Sequence, residues 1–229
     1  MALTGLFLCL FLVGHLIGNL QLFIPGEEGR TAFNEYALFM TTFPLVKVLS
    51  YLTYVSVLFH VVDGLILTIQ NRRARPAKYA VEKGSANANW SSRNMAVLGT
   101  IVLVFLVTHM QNFWWQMHFG DMPSQFVEDT FLKDLHTVVL RFFDPAHNDL
   151  ALFAVAGYVV GMFGLGFHLW HGFSSAFQSM GFRHEKYSGW IELAGKAFAV
   201  LVPAAFASIP MYLFLTHLNM RDGIKLILY

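Results

Sequence analysis

The sequence predicts an all-α, polytopic membrane protein, five transmembrane helices forming one bundle, and three observations carry that reading. Of 229 residues, 56% are hydrophobic and only 13% charged, against about a quarter charged in an ordinary soluble domain. The apolar residues gather in runs near the ~20 residues a helix needs to cross a hydrocarbon core. The charges, with Pro and Gly breakers, fall between those runs.

The first run, 3–24, ends at Pro25-Gly26. It lacks the basic n-region of a signal peptide, and Leu3 to Ile24 is long enough to span. The second, 45–70, gives way to the charged stretch Arg72 to Lys83, and the third, 94–117, closes at Asp121-Met122-Pro123. The longest loop, 121–148, carries Glu128, Asp129, Lys133, Asp134 and Arg141 and is expected to make a partly helical, interfacial excursion. Runs four and five, 149–179 and 191–217, are separated by Gly181 to Gly189. No soluble domain, low-complexity tract or repeat interrupts 1–229, which reads as a single transmembrane domain.

Five spans put the N-terminus, the 71–93 loop and the 180–190 loop on one side, with Arg72, Arg73, Arg75, Lys78, Lys83, Arg93, Arg183 and Lys186. The other side holds Arg30, Lys133, Arg141, Arg221 and Lys225. By the positive-inside rule the N-terminus is expected in the cytoplasm, in a cytoplasmic (inner) membrane. A net charge of +1, with no basic cluster among base-stacking aromatics, gives no reason to expect nucleic acid. The single cysteine, Cys9, rules out an intrachain disulfide, and without a C-x-x-C-H motif there is no covalent c-type haem.

The ten histidines divide by place. His118, His136, His147, His184 and His217 fall in loops or at span ends, where solvated or capping roles are ordinary. His15, His60 and His109 lie inside spans one, two and three, and His168 and His171 inside span four. An imidazole in hydrocarbon is costly unless something binds it, so an intramembrane histidine points to function. One such residue is readily explained by a hydrogen bond to a neighbouring backbone; four successive spans each carrying one are not. Bis-histidine haem takes two imidazoles per iron, so four would hold two haems. A four-histidine zinc site would need all of them at one depth. Gly18, Gly64, Gly164 and Gly172 lie three or four residues from these histidines and are expected to leave room for a flat macrocycle beside the backbone, whereas Gly157 and Gly161 form a GxxxG pair suited to helix packing.

The segments TGLFLCLFLVGH (4–15), AFN (32–34), LFHVVDG (58–64), THMQNF (108–113) and FHLWHGFSSAFQSMG (167–181) resemble the cytochrome b subunit of succinate dehydrogenase and fumarate reductase. The closer likeness is to its single-subunit, five-helix, di-haem anchor type. The resemblance implies that His15, His60, His109 and His168 are the axial ligands of two b haems, with His168 preferred over His171. It also implies a flavoprotein subunit and an iron–sulfur subunit on the cytoplasmic face, exchanging electrons with a membrane quinone, commonly menaquinone. Some members carry a carboxylate in the fourth ligand's helix, where this chain has Gly164 and Gly166 before His168; a proton route through that helix is not expected.

Asp63 lies one turn beyond His60, and His171 one turn beyond His168, each about 5 Å nearer the cytoplasm than its ligand. They are candidates for contacts to a quinone, a haem propionate or each other, since a quinone carbonyl needs a donor and, on reduction, a proton. Trp90, Ser91, Ser92 and Arg93 open span three on the same side and are further quinone candidates, set against plain interfacial anchoring. Glu35 is a weaker candidate for a quinone site on the other side. At about 1.5 Å per residue, His60 and His168 lie roughly 15–17 Å from their cytoplasmic span ends, and His15 and His109 roughly 21–27 Å. Ligands of one iron share a depth, so His60 is expected to pair with His168 and His15 with His109. Two alternatives remain: a di-haem cytochrome b of a hydrogenase or formate dehydrogenase, and a transporter whose histidines relay protons. The chain itself carries no constellation for dicarboxylate chemistry.

Overall fold

The computed structural model describes residues 1–74 and 88–221. Arg75, Lys78 and Lys83 of the basic loop, and Lys225, lie outside the described residues. Helix α1 (Ala2–Asn19) continues as a 3-10 turn, Leu20–Phe23. The chain then reverses at Gly26, whose φ of +74° suits a residue without a Cβ. Helix α2 spans Gly26–Thr42, with Glu27 and Glu28 in its first turn, where carboxylates complement the helix dipole. Phe43 is extended, as a residue before proline must be, and Pro44 opens α3 (Pro44–Arg73), a position where proline's missing N–H costs nothing. Asn89 caps the short α4 (Trp90–Arg93) by accepting from the Ser92 N–H at 2.8 Å. Then follow α5 (Met95–His109), a π-helical segment Met110–Trp115, and α6 (Gln116–Phe119). A hairpin of β1 (Ser124–Val127) and β2 (Thr130–Lys133) leads to α7 (Leu135–Phe143), α8 (Ala151–Ser179) and α9 (Ser188–Arg221).

Five stretches are long and apolar enough to cross a membrane: Ala2–Phe23, Pro44–Arg73, Met95–Phe119, Ala151–Ser179 and Ser188–Leu218. They match the five runs read from the sequence to within a few residues. Their outward faces are apolar, with Leu58, Leu65, Phe153, Phe163 and Leu201 all exposed; so continuous an apolar surface belongs against lipid. Two elements depart from the sequence expectation. The segment after the first span is a 17-residue helix, and the 121–148 excursion contains a β-hairpin before its helix α7.

The backbone clusters into two compact units. One comprises Met1–Val13, Leu49–Val104 and Phe163–Pro203. It is knit by close helix approaches at glycines: a Cβ on Gly166 would meet the Ala199 carbonyl at 3.1 Å, and one on Gly195 would meet Phe173 at 2.7 Å.

The other comprises Gly14–Val48, Phe105–Met162 and the chain from Ala204. Its core is Leu22, Phe33, Val139, Phe143, Val155, Ile209 and Leu213. Beside that core α2, the hairpin and α7 are joined by a buried polar network. Asp134 Oδ2 accepts from Arg30 Nη2 at 2.7 Å and Nε at 3.0 Å. Its Oδ1 accepts from Asn34 Nδ2 at 2.8 Å and the Thr137 N–H at 3.1 Å. Asn34 also donates to Gln125 Oε1 at 2.7 Å and accepts from the His136 N–H at 3.0 Å. Gln125 in turn donates to Glu27 and Thr31, each at 2.8 Å. Burial alone would raise the Asp134 pKa, but the hydrogen bonds from Arg30, Thr137 and Asn34 outweigh it and hold the carboxyl down at about 2.

Candidate functional site

In the first unit α3 presents His60 and α8 presents His168, with ring centres 6.0 Å apart and planes at 69°. Thr4 fixes the His60 ring. Its hydroxyl donates to the Met1 carbonyl at 2.8 Å, and its oxygen lies 3.3 Å from His60 Nδ1. With the Thr4 hydroxyl donating to Met1, the tautomer of His60 that completes the contact carries its proton on Nδ1 and leaves the Nε2 lone pair for a ligand. Gly5 makes room for this ring, because a Cβ there would stand 3.2 Å from His60 Cε1. His168 Nδ1 is buried and has no hydrogen-bond partner among the described residues.

In the second unit His15 and His109 stand with ring centres 5.8 Å apart and planes at 82°. Asn19 Nδ2 donates to the His15 carbonyl at 2.8 Å and lies 3.5 Å from its Nδ1. His109 sits among aromatic rings: Phe105 stacks on it at 5.6 Å, Phe113 meets it at 5.4 Å and Tyr158 at 5.9 Å. Its Nδ1 is likewise buried and unpaired among the described residues. Immediately after it the helix widens to π geometry over Met110–Trp115, a distortion that concentrates at functional positions. Within that segment Asn112 donates to the Tyr158 hydroxyl at 3.3 Å.

The two pairs share a geometry. In each, two imidazoles carried on different helices lie with ring centres 6.0 or 5.8 Å apart. A buried, unpaired ring nitrogen costs roughly 1–3 kcal/mol, and each pair carries one. Among the described residues no three His, Cys, Asp or Glu side chains converge, so the histidines form two pairs and the four-membered zinc centre weighed from the sequence is not built. By residue chemistry and spacing, each pair fits the axial ligation of one haem.

Two of the four glycines expected to leave open room beside the backbone are filled by protein. Gly18 is filled by the Tyr36 ring, and a Cβ on Gly164 would meet Ile101 at 2.7 Å. Both therefore serve close packing between protein segments. A Cβ on Gly64 would meet the Met1 side chain at 3.2 Å, while Gly172 faces open space. Of the GxxxG pair, a Cβ on Gly161 would meet the Phe105 ring at 2.5 Å, and one on Gly157 would meet nothing within 4 Å.

Of the remaining candidates, Asp63, His171 and Trp90–Arg93 belong to the first unit and Glu35 to the second. Asp63 accepts from the terminal ammonium of Met1 at 2.9 Å and makes no bond to His171, which is half-buried. The Trp90 ring, 54% exposed, meets the edge of Phe167, the residue before His168, at 5.5 Å. Ser91 is buried, Ser92 is held by the Asn89 cap and Arg93 is exposed. Glu35 is exposed on α2, in an open surface depression with Glu27, Glu28, Thr31 and Ala32. Sequence reasoning missed Thr4, Gly5, Asn112 and Tyr158. Asn19, at i+4 from His15, was within reach of helical spacing; Thr4, Gly5 and Tyr158 meet their histidines across helices, and Asn112 donates to Tyr158. No protein-family model, curated protein or solved structure matches the chain.

Proposed function

We propose that the chain is the membrane-anchor cytochrome b subunit of a succinate:quinone oxidoreductase, a succinate dehydrogenase or fumarate reductase. In this reading it joins a cytoplasmic flavoprotein and iron–sulfur subunit to quinone in the membrane. The observation that carries the haem part is the pairing of four intramembrane imidazoles at 6.0 and 5.8 Å. The motif resemblance around those same residues carries the choice of complex.

His60 with His168, and His15 with His109, would each hold one haem b, which supplies reversible one-electron chemistry when bound. Thr4 keeps the His60 proton on Nδ1, and the ring cluster of Phe105, Phe113 and Tyr158 excludes water around His109. Asp63 and His171 lie one helical turn from His60 and His168, where they would offer a proton or a hydrogen bond to a quinone, menaquinone or another. Trp90, Ser91, Ser92 and Arg93 would line its approach. The N-terminus is placed in the cytoplasm, with the loops around 71–93 and 181–190 toward the soluble subunits.

The test is purification of the intact complex from its native membrane. Two non-covalent b haems per chain, both removed by acid–acetone, together with a flavin-bearing and an iron–sulfur subunit, are the expected result. A ratio near one haem per chain would end the two-pair reading. Co-purification of a hydrogenase or formate dehydrogenase catalytic subunit would move the chain to that class, and a reduced-minus-oxidised spectrum without a b-type α-band would favour the proton-relay transporter.

A further inference from the structure

The hairpin β1–β2 has two unlike faces. Its register pairs Ser124 with Lys133, Gln125 with Leu132, Phe126 with Phe131 and Val127 with Thr130. Side chains alternate across a strand, so Gln125 and Leu132 share one face, which is buried at 3% and 4% exposure. Gln125 ties that face to α2 through Asn34, Glu27 and Thr31. The opposite face carries Phe126 and Phe131, exposed at 60% and 73%, with ring centres 4.9 Å apart. The polar network thus fixes which face turns outward, and what it turns outward is a pair of phenyl rings.

We propose that this outward face is a membrane-interface anchor, with Phe126 and Phe131 seated in the headgroup layer of the bilayer that the spans cross. The third spanning stretch ends at Phe119, five positions before the hairpin begins. Lys133, at the hairpin base, donates to the Met117 carbonyl near that span end at 2.7 Å. The base is therefore held at the bilayer boundary. The phenyl pair is two rungs farther along the ladder, about 7 Å at 3.4 Å per residue. A headgroup layer is roughly 5–7 Å thick on each side of the hydrocarbon, so the rings reach no farther than its depth. Trp115 and Phe119, with ring centres 4.6 Å apart and planes tilted at 45°, are exposed on the same span end and extend the aromatic surface toward the span, as membrane-interface belts do.

The outward hairpin face by itself is too small for a stable protein interface: its two phenyl side chains offer about 300–500 Å², short of the ~800 Å² per partner such an interface buries. The turn residues Glu128 and Asp129 are acidic, so binding is expected to be driven by apolar burial and not by attraction to anionic lipid.

The experiment uses the full chain with Cys9→Ala and a nitroxide attached at Phe131→Cys, or separately at Phe126→Cys, in vesicles of phosphatidylcholine alone or with phosphatidylglycerol. Asp129→Cys at the turn is the water-exposed control, and unchanged thermal unfolding shows that each variant is folded. Relaxation enhancement by oxygen should exceed that by a water-soluble nickel chelate at 126 and 131 in both lipid mixtures, with the reverse at 129. Nickel dominance at 126 and 131 would overturn the proposal by showing water there. Protection from both relaxants would overturn it by showing protein cover, and oxygen dominance only with phosphatidylglycerol would overturn the apolar mechanism.

Discussion

Replacing Asp134 by Asn keeps the shape of the side chain and removes its charge. In the wild type the carboxylate lies at 0% exposure with four donors on its two oxygens, two of them from the Arg30 guanidinium. Its pKa falls from 3.8 to about 2 in the folded chain, a preference for the charged form of about 2 kcal/mol. For a depressed carboxylate this stability is fully present above the unfolded pKa near 4 and is lost as pH falls from about 4 to about 2. At pH 7, Asp134→Asn should therefore raise local opening of α2, the hairpin and α7 by about 2 kcal/mol, roughly a 30-fold faster amide exchange. Hydrogen–deuterium exchange of the full chain in nanodiscs, read on peptides covering 125–140, measures this. Asp134→Ala should cost more, about 3–5 kcal/mol, because the Arg30 charge and the Asn34 amide lose their acceptor. Asp149→Asn, at an exposed carboxylate, should leave exchange unchanged. Equal exchange in wild type and Asp134→Asn would refute the claim that this network holds α2, the hairpin and α7 together.

On the di-haem reading, His60→Ala and His168→Ala should each abolish one spectral component, and His15→Ala and His109→Ala the other; loss of a common component by His15 and His60 substitutions would contradict the pairing. Thr4→Val should leave both haems bound but raise the midpoint potential of the component that depends on His60, because the Nδ1–H loses the acceptor that makes the imidazole more basic. Thr4→Ser should restore it, and redox titration of the two components reads the difference. Alanine at Asp63, at His171 or across Trp90–Arg93 should lower quinone-coupled turnover with both α-bands intact; unchanged turnover in every variant would remove this region from the quinone site.

Span number and limits were legible in the sequence because lipid imposes a simple rule of length and polarity, and Pro25-Gly26 and Pro44 punctuate it. Which histidines lie together was read from helical rise and from the motif resemblance, which preferred His168 to His171; the rings of His60 and His168, and of His15 and His109, do lie side by side. Other features followed from contacts between segments distant in sequence. The hairpin was hidden because its two-residue turn is Glu128-Asp129, both at positive φ (43° and 65°), where glycine or asparagine is the usual signal. The charges of 128–134 read as part of a partly helical, interfacial excursion, which gives no sign that Asp134 is buried; it is, because Arg30, Asn34 and Thr137 supply its donors from α2 and α7. Gly18 and Gly164 carried no mark distinguishing a glycine beside a flat ligand from one beside Tyr36 or Ile101. The π-helical step after His109 has no periodic signature at all.

The way the histidines are shared among the spans bears on how the protein is made. The pairs alternate along the chain, span one with span three and span two with span four. As a ribosome delivers the helices in order, no pair exists until the third has entered the bilayer, and the second pair waits for the fourth. Through that interval His15 and His60 sit in lipid without their opposite imidazoles. A chain arrested after span three would carry the means for one complete pair, so nascent chains of graded length would report the order in which the two are assembled.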